Sequence, residues 1–349
     1  MTTEKMIQGL MDGTVAGESL VQEDWREISK CAGLRENFIR RFADKLDWTE
    51  LSMWHELPEE LMREFSAKMD WQMASKYQKL SAGLMRDFTD WLDWMEISVR
   101  EDLSRQTMRE FAAWLDWGMV SAFHPLSTEL IHEFADYIDW IQACIYQYLP
   151  EDLMREYQDK ISWKMVSVYQ HLSEAFLREF ADKVDWKLVS RYQALPEDLI
   201  DQFAGRVAWR CISKYQRLSR SFIQAHREKL DMEALADNWY GKTEKELEQE
   251  VRRTGLYECH DGYFVAYKGI RKNRYDAFGF RFRYLPGSIC ETFADASGAE
   301  NSFGFSVRDR QGAWSECCGL AVPCKVYYKD VARVTEGCVV RCRKLTVLE

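Results

Sequence analysis

The chain has 349 residues and a net charge of −10, from 47 Lys and Arg against 57 Asp and Glu. Hydrophobic residues make up 46% and charged residues 30%, a globular balance that excludes a disordered chain. Only 6 Pro and 18 Gly occur, which favours helix, and no apolar run reaches the roughly 18–20 residues that a bilayer span needs.

The N-terminus, MTTEKMIQGLMDG, has no basic stretch followed by an apolar one, so no secretory leader is expected. The expected setting is intracellular, away from membranes, with reduced cysteines. Charge is uneven: residues 1–255 carry 33 basic and 46 acidic side chains, and residues 256–349 carry 14 and 11. The acidic part is a poor match for a nucleic-acid backbone, whereas the C-terminal part could meet one.

Residues 1–22 read as a cap, and a repeat follows. Trp25, Trp48, Trp71, Trp94, Trp117, Trp140, Trp163, Trp186 and Trp209 are spaced by 23 residues without a slip, and Met232 takes the next place. An aromatic precedes the Trp by six residues, from Phe42 to Phe203, and a Leu follows it by nine, from Leu34 to Leu218. Four residues after the Trp stands Ser, replaced once by Cys144.

The unit 173–195 shows the local logic. Ser173 is a helix N-cap, and Pro58, Pro150 and Pro196 take the same place in other units. Phe176, Leu177, Phe180, Ala181 and Val184 form an apolar stripe at helical spacing. Asp185 caps a second, shorter helix that opens at Trp186. Neither helix can bury its stripe alone, so the units must stack, and the predicted fold of residues 1–240 is a curved or right-angled α-solenoid of nine to ten helical hairpins. The fold class is mainly α, with a small α+β domain after the solenoid.

Each periodic residue has a bland and a functional reading. The Trp is a core pillar sooner than a ligand platform. The Ser has no His at a fixed spacing and reads as a small packing residue. The Arg eight before the Trp (Arg40, Arg63, Arg86, Arg109, Arg155, Arg178) reads as an ion-pair ladder between repeats, with a partner-reading ridge as the alternative. Departures from the pattern point outward. Trp91 and Trp114 stand three before the register Trp, where other units have Lys, Arg or Tyr137, while Trp54, Arg100 and Phe123 replace the usual Tyr. These five are the candidate partner-binding residues, because aromatics and Arg dominate interface hot spots; repacking between uneven repeats is the alternative.

Residues 241–255 contain a charged helix, TEKELEQEVRRT, stopped by Gly255. From 256 to 349 the pattern turns to strands: 263–267 after a turn at His260-Asp261-Gly262, 278–284, 302–306, 325–334 and 338–348, with a helix around 309–318. Lys268, Arg271, Lys272, Arg274, Arg281 and Arg283 interleave with Tyr267, Tyr275, Phe278, Phe280, Phe282 and Tyr284. That mixture suits phosphate contact and base stacking, or an ordinary strand with Arg outside. Ten Cys and six scattered His show no zinc spacing, and no metal or cofactor is expected.

The unit LSEAFLREFADKVDWKLVSRYQ resembles Trp-anchored helical repeats of large DNA viruses and phages, and the tail from FVAYKGI to KLTVLE resembles a small domain of similar genomes. The resemblance implies a viral accessory or virion-associated protein, placed in host cytoplasm or virion. A second resemblance, of YKG, FGFS and the helix with Ala313 and Trp314, is to Arg-Ser-Glu ADP-ribosyltransferases. Lys268 would stand for that family's Arg, Ser306 for its Ser, and Glu336 lies one turn early for its Glu; the departures imply nucleotide binding more than catalysis. The primary expectation is a non-enzymatic scaffold or adaptor that binds a protein partner through the repeat surface. A degenerate ADP-ribosyltransferase-like domain with Lys268, Arg271, Lys272, Arg274 and Ser306 as nucleotide contacts, or a virion structural component, are the alternatives.

Overall fold

An Asp followed by Trp starts a helix because the carboxylate can accept the N–H groups that a helix leaves unpaired in its first turn. Asp185 does so for Lys187 and Leu188, opening the helix Trp186–Tyr192. Asp47, Asp70, Asp93 and Asp139 repeat the arrangement ahead of Trp48–Trp54, Trp71–Tyr77, Trp94–Ser98 and Trp140–Tyr146. The partner helix of each hairpin is one turn and a half long. Ser173 caps Glu174–Glu179 by accepting the Phe176 N–H, and Pro196 takes the cap position of Glu197–Gln202. The computed structural model describes residues 2–31, 33–100, 102–236, 238, 242–277, 279–294, 304–317, 319–335 and 337–349.

The first helix is shorter than its apolar stripe. It ends at Glu179, and Phe180 to Lys183 form a turn in which the N–H groups of Lys183 and Val184 both reach the Phe180 carbonyl. Two contacts impose the turn. The Phe180 ring lies 4.9 Å from that of Trp163, and the Trp186 indole N–H donates to the Ala181 carbonyl at 2.8 Å. Phe180 and Val184 are buried as expected, but from a turn and not from a helix.

The chain divides into two units, Met1–Val120 and Ser121–Glu349. The first unit begins with helices Thr3–Asp12 and Gln22–Ser29, the latter carrying the buried Trp25, and continues through Trp94–Ser98 and Arg105–Glu110. Within it each register Trp stacks on the aromatic of the following repeat: Trp25 on Phe42, Trp48 on Phe65, Trp71 on Phe88 and Trp94 on Phe111. The second unit shows the same contacts for Trp140 on Tyr157, Trp163 on Phe180 and Trp186 on Phe203. The pillar therefore belongs to two repeats at once, which explains why it tolerates no shift in spacing.

The periodic Ser is more than a small residue. Ser190 Oγ donates to the Trp186 carbonyl at 2.6 Å and accepts the Ala208 N–H at 3.0 Å, tying one repeat's helix to the start of the next repeat's. Ser29, Ser75, Ser98, Ser167 and Ser213 make the same pair of bonds.

A second buried lock lies seven residues after the Trp. Gln193 Nε2 donates to the Ser167 and Gln170 carbonyls at 3.0 and 2.8 Å, and its Oε1 accepts the Leu172 N–H at 3.2 Å. Gln78, Gln147, Gln170 and Gln216 each satisfy the same three backbone groups of the repeat before them. Leaving such groups buried and unpaired would cost about 1–3 kcal/mol each. On the surface Arg40, Arg63, Arg86 and Arg155 pair with Glu64, Asp87, Glu110 and Glu179, the ladder between repeats that the sequence suggested.

In the second unit the repeats run on through Met232–Ala236 to the helix Glu244–Arg253, which is opened by a Thr243–Glu246 capping box. Among the described residues eight strands follow: β1 Glu258–Cys259, β2 Tyr263–Ile270, β3 Ile289–Glu291, β4 Phe305–Val307, β5 Leu320–Tyr327, β6 Val331–Val334, β7 Val340–Cys342 and β8 Lys344–Val347. They form an antiparallel sheet of order β1-β2-β5-β8-β3 and a smaller one of order β4-β7-β6, with the helix Arg310–Cys317 between β4 and β5. Phe264, Ala266, Tyr284, Phe305, Val326, Tyr328 and Leu345 fill the core between them. Gly319 precedes β5 beside the end of β2, and a Cβ there would clash with the Ile270 carbonyl oxygen.

Two expectations for this part need correction. Residues 279–284 form no strand, although Phe280 and Arg283 make isolated bridges, to Gln147 and Tyr275. The aromatics alternate, but each goes to its own neighbour: Phe280 lies against Tyr275 and under Arg271, while Phe282 and Tyr284 lie against Phe305. The last long strand also differs, since β5 begins at Leu320 and the chain bends at Tyr328–Asp330 before β6. The compositional boundary near residue 240 is a change of local structure inside the second compact unit, Ser121–Glu349. The Phe280 N–H donates to the Tyr146 carbonyl at 2.7 Å and Arg281 Nη1 to the Tyr169 carbonyl at 3.0 Å, joining the small domain to repeats of the same unit. Phe278, Ser302, Phe303, Cys318 and Glu336 lie outside the described residues.

Candidate interaction surface

Burial separates the described Trp into pillars and others. The register Trp are buried or nearly so, whereas Trp54, Trp91 and Trp114 are 60%, 51% and 47% exposed. Trp91 and Trp114 sit in the turn between the two helices of their hairpins, each against the pillar of the preceding repeat. Trp91 lies edge-on to Trp71 at 6.1 Å, and Trp114 lies 6.0 Å from Trp94. Trp54 closes the helix Trp48–Trp54 and donates its indole N–H to Glu50 at 2.9 Å. Glu50 is buried, which would raise its pKa, but hydrogen bonds from Arg26 and Trp54 outweigh the burial and hold it below the usual range. Met95 and Tyr77, which sequence reasoning passed over, are also exposed on this unit. An apolar side chain repeated outward is a signal for them, since both occupy positions that the core does not use.

Arg100 belongs to the fold and not to this surface. Its helix, Trp94–Ser98, is two residues shorter than most others of its kind, so Arg100 enters the lock that Gln fills elsewhere. Its Nη1 donates to the Ser75 and Gln78 carbonyls at 2.9 and 2.6 Å, and Nε and Nη2 hold Asp102 bidentately. With only 13% of its side chain exposed, the guanidinium is committed to the repeat before it. His55 fills the lock in another repeat, with Nε2 at 2.8 Å from the Ser29 carbonyl oxygen. Phe123, in the second unit, is exposed at the end of the helix Trp117–Phe123.

The basic set of the small domain is mostly occupied. Lys268 is buried on β2 and faces Asp276 at 3.6 Å. Arg271 donates from Nε and Nη2 to the Ala277 carbonyl and stacks on Phe280, Arg274 donates to the Tyr284 carbonyl, and Arg281 to that of Tyr169. Lys272 and Arg283 are exposed. Ser306 lies half-buried on β4 opposite Arg341 of β7. The Tyr267–Arg308 bridge brings β2 and β4 side by side, so the segments of Lys268 and Ser306 are neighbours. Among the described residues no group of three or more His, Cys, Asp or Glu is placed to hold a metal ion, and no helix is long and apolar enough to cross a membrane.

Comparison of the chain with protein-family models, curated proteins and solved structures finds no match.

Proposed function

We propose that residues 1–120 form a recognition surface for a protein partner and that the chain acts as a scaffold or adaptor. The observation that carries this reading is the pair Trp91 and Trp114: two large apolar side chains, half exposed, at a position where the other repeats keep Lys, Arg or, at Tyr137, Tyr. The pillars already supply the aromatic core, so stability does not ask for a second Trp in these hairpins. Exposed aromatics of this size mark binding sites more often than they serve a fold. The resemblance of the repeat to those of large DNA viruses and phages supports a viral accessory or virion-associated setting. The nucleotide-binding alternative for the small domain draws less support, because Lys268 is buried against Asp276 and Arg271, Arg274 and Arg281 each serve a backbone carbonyl.

The test is affinity capture with the full chain, read by quantitative mass spectrometry, beside a variant carrying Trp91→Lys and Trp114→Lys. The substitutions restore the residue type that most other repeats have at this position, so the fold should persist. Partners retained by the native chain and lost from the variant are the expected result; equal capture by both would remove these residues from recognition.

A further inference from the structure

We infer that the Trp91 and Trp114 surface receives a basic segment of its partner, with a Lys or Arg side chain seated at Trp114 beside Asp90. This rests on the recognition reading above and adds the chemistry of the partner.

The repeats themselves show how a cation sits at this position. Lys183, three residues before Trp186, places its ammonium 5.6 Å from the centre of the Trp163 ring and 3.5 Å from Asp159. Lys229 lies 5.2 Å over Trp209. Lys160 meets Asp136 at 2.6 Å, Arg206 meets Asp182 at 2.6 Å, and Lys68 pairs with Asp44. At Lys183 the site is thus a Trp face with an acid of the preceding repeat beside it, and the other repeats show one of these two elements, each met by the chain's own cation.

At Trp114 the cation is gone and its surroundings stay. Asp90 occupies the place of Asp44, Asp136, Asp159 and Asp182, twenty-four residues ahead of Trp114 as Asp136 is ahead of Lys160. It is exposed and makes no ion pair or hydrogen bond among the described residues. Trp114 adds a second indole, packed at 31° to that of Trp94, and offers its outer side to solvent. An indole face with a carboxylate at its edge attracts an ammonium or guanidinium through the ring quadrupole and the charge together. The region around it strengthens the preference, since residues 87–116 hold eight acidic and three basic side chains. Most of those acids are engaged: Asp87 with Arg63, Glu96 with Lys76, Asp102 with Arg100, Glu110 with Arg86, and Asp93 and Asp116 with helix N–H groups. Asp90 is left to a partner. An acidic or wholly apolar segment would meet this field unfavourably, whereas a basic one gains from it.

The experiment selects short random peptides, displayed on phage, against the full chain, then measures the enriched peptides on the native protein, on Trp114→Lys, on Trp91→Lys and on Asp90→Asn. Circular dichroism melting checks that each variant folds. Enriched peptides should carry Lys or Arg, bind about tenfold more weakly to Trp114→Lys, lose several-fold on Asp90→Asn, and weaken with salt. Peptides that need Trp91 or Trp114 but show no basic preference and ignore Asp90→Asn would overturn the basic partner while leaving the recognition surface standing. Peptides whose binding no Trp substitution changes would overturn both.

Discussion

The repeats from Trp140 to Tyr215 and those from Trp48 to Phe123 obey the same rule to different degrees. In the first stretch the lock is Gln147, Gln170, Gln193 and Gln216 without interruption, and each Gln makes the same three bonds. In the second, His55, Gln78 and Arg100 share the task, and the same stretch carries the exposed Trp54, Trp91 and Trp114. Where the pattern is uniform, its residues are explained by stacking alone. Where it breaks inward, at His55 and Arg100, another side chain takes over one or two of the three bonds. Where it breaks outward, at Trp91 and Trp114, no bond of the fold is recovered. That asymmetry distinguishes repacking from recognition.

Removing a pillar should break the uniform stretch most severely. Trp186→Ala loses the stack on Phe203 and the bond to the Ala181 carbonyl, and should cost about 3–5 kcal/mol in urea unfolding. Trp91→Ala, at a half-exposed site, should stay under about 1 kcal/mol by the same measurement. Equal losses would show that the two kinds of Trp are one.

Gln193→Ala strands two buried carbonyls and one N–H, and should cost about 2–4 kcal/mol. Hydrogen exchange should then quicken at Leu172, whose N–H the Gln accepts. Unchanged protection there would mean that water replaces the side chain.

His55→Gln sharpens the comparison by making the irregular stretch uniform. Burial lowers the His55 pKa below its ordinary 6.5, with the bond to Ser29 opposing. The unfolded chain therefore binds the proton more readily, so His55 contributes stability fully above about pH 6.5 and loses it as the pH falls toward the depressed folded value. Urea midpoints of the first unit should drop between pH 7 and pH 5 in the native chain, and less in His55→Gln. A parallel drop in both would place the titration elsewhere.

The smallest effect belongs to the surface ladder. Arg178→Ala removes contacts to Glu174 and Asp198 that are largely solvent-exposed, and should shift stability by no more than about 0.5 kcal/mol, fading with added salt.

Much of this arrangement was legible in the sequence because its cause is local or strictly periodic. Asp before Trp caps a helix whatever surrounds it, and a Trp at a fixed period can only be explained by stacking. The Gln lock has the same period, yet His55 and Arg100 interrupt it and hide a residue that a search for amides at buried spacing would have found. The exposed Trp were legible as departures, but the acid beside them was not, because Asp90 stands out only once its counterparts are seen paired to lysine. The segment 279–284 misled for a different reason. Its alternation of aromatic and Arg is that of a strand, but the Phe280 N–H and the Arg281 guanidinium reach the Tyr146 and Tyr169 carbonyls, partners more than a hundred residues away that no local pattern announces.

The direction of the Gln lock has a consequence for synthesis. Every lock reaches back to the repeat before it, so the side chain that closes a hairpin leaves the ribosome one repeat of 23 residues later than the backbone it closes. Each hairpin closed by a Gln emerges with three open backbone groups and is sealed by its successor, and Asn238 closes two such groups at the end of the series. The array is therefore completed like a zip drawn from the N-terminus, always one tooth behind the growing chain.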